Sequence, residues 1–309
     1  AAALLPGTRV VPMETVRAEV CDAARNPTVR MNDLFYSLAV IRAGQPALTV
    51  DEIDLLKEEY EPSAGQDGKP CIWPLRDGGV YAISIPVAPY RCPPGPYERA
   101  CQVAWYFKRA KPKSKVLVLD GNPDVTSKAG LFKKAWNEEY KGIVEYRPNH
   151  VLTDVDLATK TAKFETADDV KADVLNVVPP HRAGAIARAA GVITANNRWC
   201  EVDFLSYESI RGKGVHVLGD SIQIAPAMPK SGHMANNQAK VAAAAVLRQL
   251  GGQPPSATPM LTNTCYSFIT DKDVVHVASV HHYDAAKKTM VTVPGSGGLS
   301  PAMNELEGR

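Results

Sequence analysis

"PYRCPPGPYERACQ", residues 89–102, follows a strand-like run, "VYAISIP", and leads into a helix-like one that continues to Ala110. A second strand-like run, "KVLVLD", comes next and ends in Asp120. Strand, turn, helix and a strand ending in an acid is the order of the first unit of a dinucleotide-binding domain. The turn of such a unit is glycine-rich, so that backbone N–H groups can approach a pyrophosphate. Here the turn holds a single glycine, Gly95, among Pro93, Pro94 and Pro96, with Cys92 at its head. Proline lacks an N–H and fixes φ, so this turn cannot cradle phosphate. It reads as a stiff arch that holds Cys92 just before a helix N-terminus, where the positive end of the helix favours a thiolate. Glu98, in the first turn of that helix, is positioned to take or give a proton nearby. The competing reading is an inert buried cysteine beside a rigid turn.

Working outward, the apolar spacing predicts strands over 79–85, 115–119, 143–147, 162–166 and 173–178, and helices over 97–110, about 127–141 and about 181–190. Alternation at this spacing argues an α/β fold with a mostly parallel sheet. "ATKTAKFETADDVKADVLNVV" reads as a hairpin feeding a buried strand. Residues 1–75 read as an atypical, mostly helical segment, with Thr49 capping "TVDEIDLLKEEY". The divisions drawn are 1–75, a Rossmann-like region over 76–200, a returning strand and helix over 201–250, and a C-terminal region over 251–309. In the third of these, "GVHVLGD" reads as a short strand ending in Gly219 and Asp220. Behind it, an alanine-rich helix capped by Ser231 is expected to pack against something flat. "VVHVASVHHY" and "TMVTV" read as strands, and adjacent His281 and His282 then point to opposite faces and cannot easily share a metal.

An acid closing a strand, as at Gly219-Asp220, suits a ribose or ribityl hydroxyl. The "MPKS" run, Met228, Pro229, Lys230 and Ser231, then leads to a helix N-terminus suited to an electron-rich ring edge. A solvated strand-to-loop turn is the plainer alternative. No complete GxGxxG occurs in the chain. The six cysteines, Cys21, Cys71, Cys92, Cys101, Cys200 and Cys265, include no CxxC and no zinc-like Cys/His spacing. Cys101 and Cys200 read as core thiols. Lys+Arg 35 against Asp+Glu 33 gives +2, without a basic run, which argues against a nucleic-acid partner. The apolar stretch "VAAAAVL" is too short for a bilayer span, so no membrane span is expected, and "AAALLPGTRV" shows no legible signal peptide.

"PYRCPPGPYERACQVAWYFK", "SKVLVLD", "KADVLNVVPPHRAGAIARAAG", "WCEVD", "GVHVLGDS", "AMPKSGHMANNQAKVAAAAV", "NTCYS" and "PGSGGLSP" resemble, in that order, the flavoprotein subunit of flavocytochrome c sulfide dehydrogenase, over about residues 78–302. The resemblance implies a two-dinucleotide-fold, glutathione-reductase-like flavoprotein carrying FAD beside a redox-active disulfide. It further implies oxidation of sulfide to sulfur or a polysulfide, with electrons passing to a c-type cytochrome subunit in the periplasm. Matched motif by motif, the disulfide would join Cys92 to Cys265, with Glu98 as the nearby acid/base. Gly219 and Asp220 would hold the ribityl and phosphate region of FAD, and Met228–Ser231 would meet the pyrimidine edge of the flavin. Residues 1–75 resemble neither the family's opening FAD-binding segment nor its flavin tether, so a truncated or rearranged member is expected. Two other readings stay open: a disulfide flavoprotein with another sulfur substrate or a quinone acceptor, and a non-catalytic paralogue that acts as a partner protein.

Overall fold

A computed structural model describes residues 75–301. The helices read within residues 1–74, and Cys21 and Cys71, lie outside the described residues. The chain divides into two units, Ala1–Arg76 and Asp77–Arg309, and all that follows concerns the second.

Strand β1 (Val80–Ile85) leads through the proline arch into helix α1 (Gly95–Ala110) and then β2 (Lys115–Asp120). Helix α2 (Ala129–Glu138), β3 (Val144–Arg147) and β7 (Val174–Val177) complete a parallel sheet of order β3-β2-β1-β7. "VYAISI" and "KVLVLD" are apolar almost throughout because both faces of the sheet are covered. Strand alternation sends Ala82, Leu117 and Leu119 to one face, where they pack with Ala162, Phe164 and Val170. Those last residues belong to a small antiparallel sheet of β4 (Leu152–Asp156), β5 (Thr161–Phe164) and β6 (Val170–Lys171); β5 and β6 lie in the segment read as a hairpin, and β4 adds a third strand outside it. Tyr81, Ile83, Val116 and Val118 take the opposite face and are equally buried, as are Phe107 of α1 and Phe132 of α2. The doubly covered, parallel α/β sheet is the fold class expected from the sequence.

The short helix α3 (Ala185–Ala189) precedes an irregular stretch that ends in a 3-10 turn, Gly219–Ser221. The strand read over "GVHVLGD" does not form. Val217 N–H instead donates to Tyr207 O at 2.8 Å, and His216 makes a single antiparallel bridge with Glu208. The segment therefore pairs with its own preceding loop rather than with a parallel neighbour. Helix α4 (Gly232–Leu250) begins as predicted: the Ser231 hydroxyl accepts from Met234 N–H at 3.0 Å. Its alanines divide. Ala242 and Ala245 are buried, whereas Ala243 and Ala244 are exposed, so the helix packs along one stripe, in which Met234 and Ala242 meet Leu261 and Met290 of the C-terminal sheet. Among the described residues no helix is long and apolar enough to cross a membrane.

The C-terminal region is an antiparallel sheet centred on β9 (Val274–Asp284). β8 (Met260–Phe268) pairs along β9, which also pairs with β10 (Thr289–Thr292) and β11 (Gly298–Leu299). The glycine turn before β11 is required by close approach: a Cβ on Gly297 would fall 2.6 Å from the Ala278 carbonyl carbon.

Ser231 bonds in both directions, because its hydroxyl also donates to Asn263 Oδ1 at 2.5 Å. Ser231→Ala should therefore cost about 1–2 kcal/mol, from a lost N-cap and a stranded acceptor. A shift in urea midpoint at unchanged m-value would measure it.

Candidate functional site

Cys92 heads the arch in the left-handed region, φ +52°. A non-glycine residue holds that conformation only where its surroundings impose it. The constraints are visible. Cys92 N–H donates to Lys230 O at 2.8 Å, and Cys92 O accepts from Gly95 N–H at 2.9 Å. Arg91 N–H donates to His181 Nδ1 at 2.9 Å, and Arg198 reaches Pro89 O at 2.9 Å. Pro94 is the N-cap of α1, without any side-chain cap bond. The half-buried Cys92 thus stands just ahead of a 16-residue helix, as the prolines suggested.

The acid that a dinucleotide fold would offer to a ribose is used internally. Asp120 is fully buried. Its Oδ2 accepts from Tyr97 OH at 2.7 Å and Tyr146 OH at 3.1 Å, and its Oδ1 accepts from Asn122 N–H at 2.9 Å and Nδ2 at 2.7 Å. Tyr97 OH in turn accepts from Tyr90 OH at 3.2 Å and from Thr126 N–H at 3.1 Å. Burial drives the Tyr97 phenol far above its usual range, so it stays a donor. Side chains from α1, from β3 and from the loop after β2 therefore saturate the carboxylate where a nucleotide hydroxyl would otherwise bond.

Strand alternation on β8 puts Asn263, Cys265 and Ser267 on one face. Asn263 Nδ2 lies 3.5 Å from Cys265 Sγ and, through Ser231, connects that sulfur to the segment carrying Lys230, the residue bonded to Cys92 N–H. Glu98 of α1 accepts from Phe268 N–H at 3.0 Å and also bonds Ser267. Burial raises the Glu98 carboxyl, offset in part by the Phe268 amide and by Lys128. The two motifs, one carrying Cys92 and Glu98 and the other Cys265, thus lie around one site, although no disulfide joins Cys92 to Cys265 in this structure.

Lys128 joins them and was not anticipated. Its backbone is left-handed, φ +56°, at the N-cap of α2, and the residue is 3% exposed. Its Nζ donates to Ser267 Oγ at 2.8 Å and Val275 O at 3.3 Å. Burial pulls the ammonium down to about 8, opposed first by Glu98 and then by the nearby Cys265 and Cys92. In the sequence a lysine at a helix start reads as solvated, and no local pattern marks this one as buried.

The flavin-side residues gather around the 3-10 turn. Gly219 has φ +72°, a Cβ there would meet Ala235 Cβ at 3.3 Å, and its N–H donates to Gln238 Oε1 at 2.6 Å. Asp220 Oδ2 lies 3.6 Å from Arg91 Nε, whereas Oδ1 is buried and has no hydrogen-bond partner among the described residues. Met228 is buried, Pro229 half-buried, and Lys230 8% exposed. Lys230 Nζ donates to Asp220 O at 2.9 Å and Ile222 O at 2.7 Å, and lies 3.9 Å over the Trp199 ring. Burial lowers its ammonium to about 8. Its charge is thus largely used to brace the turn. An orphaned carboxylate oxygen beside a left-handed glycine is what a ligand rich in hydroxyl donors requires, so these residues fit the ribityl portion of FAD.

Two regions of the chain match models of one family. Residues 71–179 match the central region of the sulfide dehydrogenase [flavocytochrome c] flavoprotein chain, and residues 257–309 match the flavin-binding region of flavocytochrome c sulphide dehydrogenase. The second match makes FAD the cofactor. Among solved structures, the sulfide:quinone oxidoreductase of Aquifex aeolicus is 14% identical, with 79% of this chain and 58% of that chain covered at a TM-score of 0.54. A chain of the mitochondrial ATP synthase F1Fo tetramer of Tetrahymena thermophila is 18% identical, with 72% of this chain and 59% of that chain covered at a TM-score of 0.53. At these identities the likeness is one of fold, a two-dinucleotide-fold flavoprotein architecture. The present chain spans under two thirds of either.

Proposed function

The chain belongs to the flavoprotein family of flavocytochrome c sulfide dehydrogenase, and from that premise we propose that it is an FAD-dependent sulfide oxidoreductase whose redox pair is Cys92 and Cys265. The observation that carries this reading is the convergence of both cysteines and Glu98 on Lys128, with the Cys92 arch bonded directly to the Lys230 segment.

In the proposed reaction, hydrosulfide attacks one sulfur of a Cys92–Cys265 disulfide. A sulfur–sulfur bond forms to the attacking atom, the disulfide breaks, and the second cysteine leaves as a thiolate carrying the electron pair. The proton of the resulting persulfide passes to Glu98, whose burial raises its carboxyl towards the working range of a general base. FAD, when bound, supplies a two-electron acceptor able to release electrons singly to a haem. Asp220 and Gly219 would hold its ribityl region, and Met228 to Ser231 its pyrimidine edge. The arch keeps Cys92 from relaxing, because its φ, its N–H and its C=O are each committed. A c-type cytochrome as electron acceptor and a periplasmic location belong to the same proposal, on the strength of the family.

The test is the visible spectrum of the purified chain before and after sulfide. A flavin band that bleaches on sulfide addition is the expected result; a colourless protein, or a band indifferent to sulfide, overturns the proposal.

A further inference from the structure

Lys128 is a cation in a place where cations are costly. It is 3% exposed, and two of its three N–H bonds go to neutral oxygens, Ser267 Oγ and Val275 O. Glu98 bonds the same Ser267 hydroxyl and acts on the ammonium by its charge. A buried ammonium is costly unless negative charge lies close to it. The groups that face it are Glu98 from α1, Cys92 from the arch and Cys265 from β8, with Arg99 acting on Glu98 and Tyr90 beside Cys92. Ser267 lies two residues from Cys265 on the same strand face, so the ammonium is anchored beside the sulfur.

We propose that Lys128 is the anion-positioning residue of the cysteine pair: its buried charge draws small sulfur anions, hydrosulfide among them, to Cys92 and Cys265 in preference to neutral molecules. This deepens the reading of the cysteines as the reacting pair and rests on it. The charge selection is nevertheless measurable without sulfide or flavin turnover.

The experiment uses the full chain after chemical reduction and follows each cysteine by peptide-resolved mass spectrometry. Iodoacetate, an anion, and iodoacetamide, its neutral analogue, both consume the thiolate, so the ratio of their rates cancels thiolate fraction and reads the local charge. In Lys128→Met the ratio at Cys92 and Cys265 should fall about fivefold, the effect of one nearby charge in a partly desolvated site. Lys128→Arg should restore it. A residue with only a packing role would change both rates together and leave the ratio unmoved. An unchanged ratio in Lys128→Met therefore overturns the assignment, whatever the sulfide assay shows. If Lys128→Met does not fold, the parent lysine is titrated instead, on Cys92 in a Cys265→Ser chain so that no second thiolate intervenes. The ratio should drop as pH rises through about 8, where the ammonium loses its proton, and a flat ratio overturns the inference.

Discussion

A chain carrying Cys92→Ser should take up flavin as the parent does, fold as the parent does, and fail to bleach on sulfide. The expected loss in the rate of sulfide-dependent reduction is on the order of 10³-fold or more, because a residue that forms the covalent intermediate has no substitute. Serine matches cysteine in shape and meets the left-handed φ of +52° on equal terms. The backbone bonds of residue 92 to Lys230 O and Gly95 N–H do not depend on the side chain. Thermal midpoint and flavin content should therefore stay near the parent values, which separates chemistry from folding. Cys265→Ser should behave alike. Cys101→Ser is the control: Cys101 is fully buried in α1 and burial pushes its thiol well up, so sulfide reduction should persist. If Cys92→Ser still bleaches at the parent rate, the disulfide chemistry is wrong even though family and cofactor stand.

Part of this design was readable in advance. The parallel sheet was legible because strands buried on both faces are apolar throughout, as in "VYAISI" and "KVLVLD", and the Ser231 cap because a helix start announces itself locally. The proline arch was legible as a negative, since prolines cannot do what glycines do. Other features depend on chain segments far apart. Nothing within "GVHVLGD" reveals that Val217 bonds Tyr207 in the preceding loop instead of forming a strand. Cys265 is an ordinary strand residue by pattern and became a candidate only through resemblance. Lys128 acquires its meaning from Ser267, 139 residues along the chain. Asp120, at the end of its strand, suggests a ribose ligand until Tyr97 and Tyr146 are seen bonded to it.

That last contact supports the second large effect. Asp120→Ala should destabilise the protein by about 4 kcal/mol, since one fully buried carboxylate serves four donors and its removal strands them together. Asp120→Asn should cost somewhat less, about 2–3 kcal/mol, because an amide retains one acceptor oxygen and presents an NH₂ to the remaining donors. For a domain of this size, 4 kcal/mol corresponds to a fall in thermal midpoint of roughly 8–16 °C. Chemical denaturation of the full chain measures both variants, and a loss under about 1 kcal/mol for Asp120→Ala would mean that the hydroxyls find water instead. The consequence reaches the site through one residue. Tyr97, held by Asp120, is the neighbour of Glu98, and Tyr90, bonded to Tyr97, lies two residues before Cys92. Loosening the carboxylate hub should therefore unseat the arch, so that the alkylation of Cys92 by neutral iodoacetamide changes in Asp120→Ala while that of Cys265, held by β8, changes less. The acid that would serve a nucleotide in a phosphate-binding unit serves here to hold a cysteine in place.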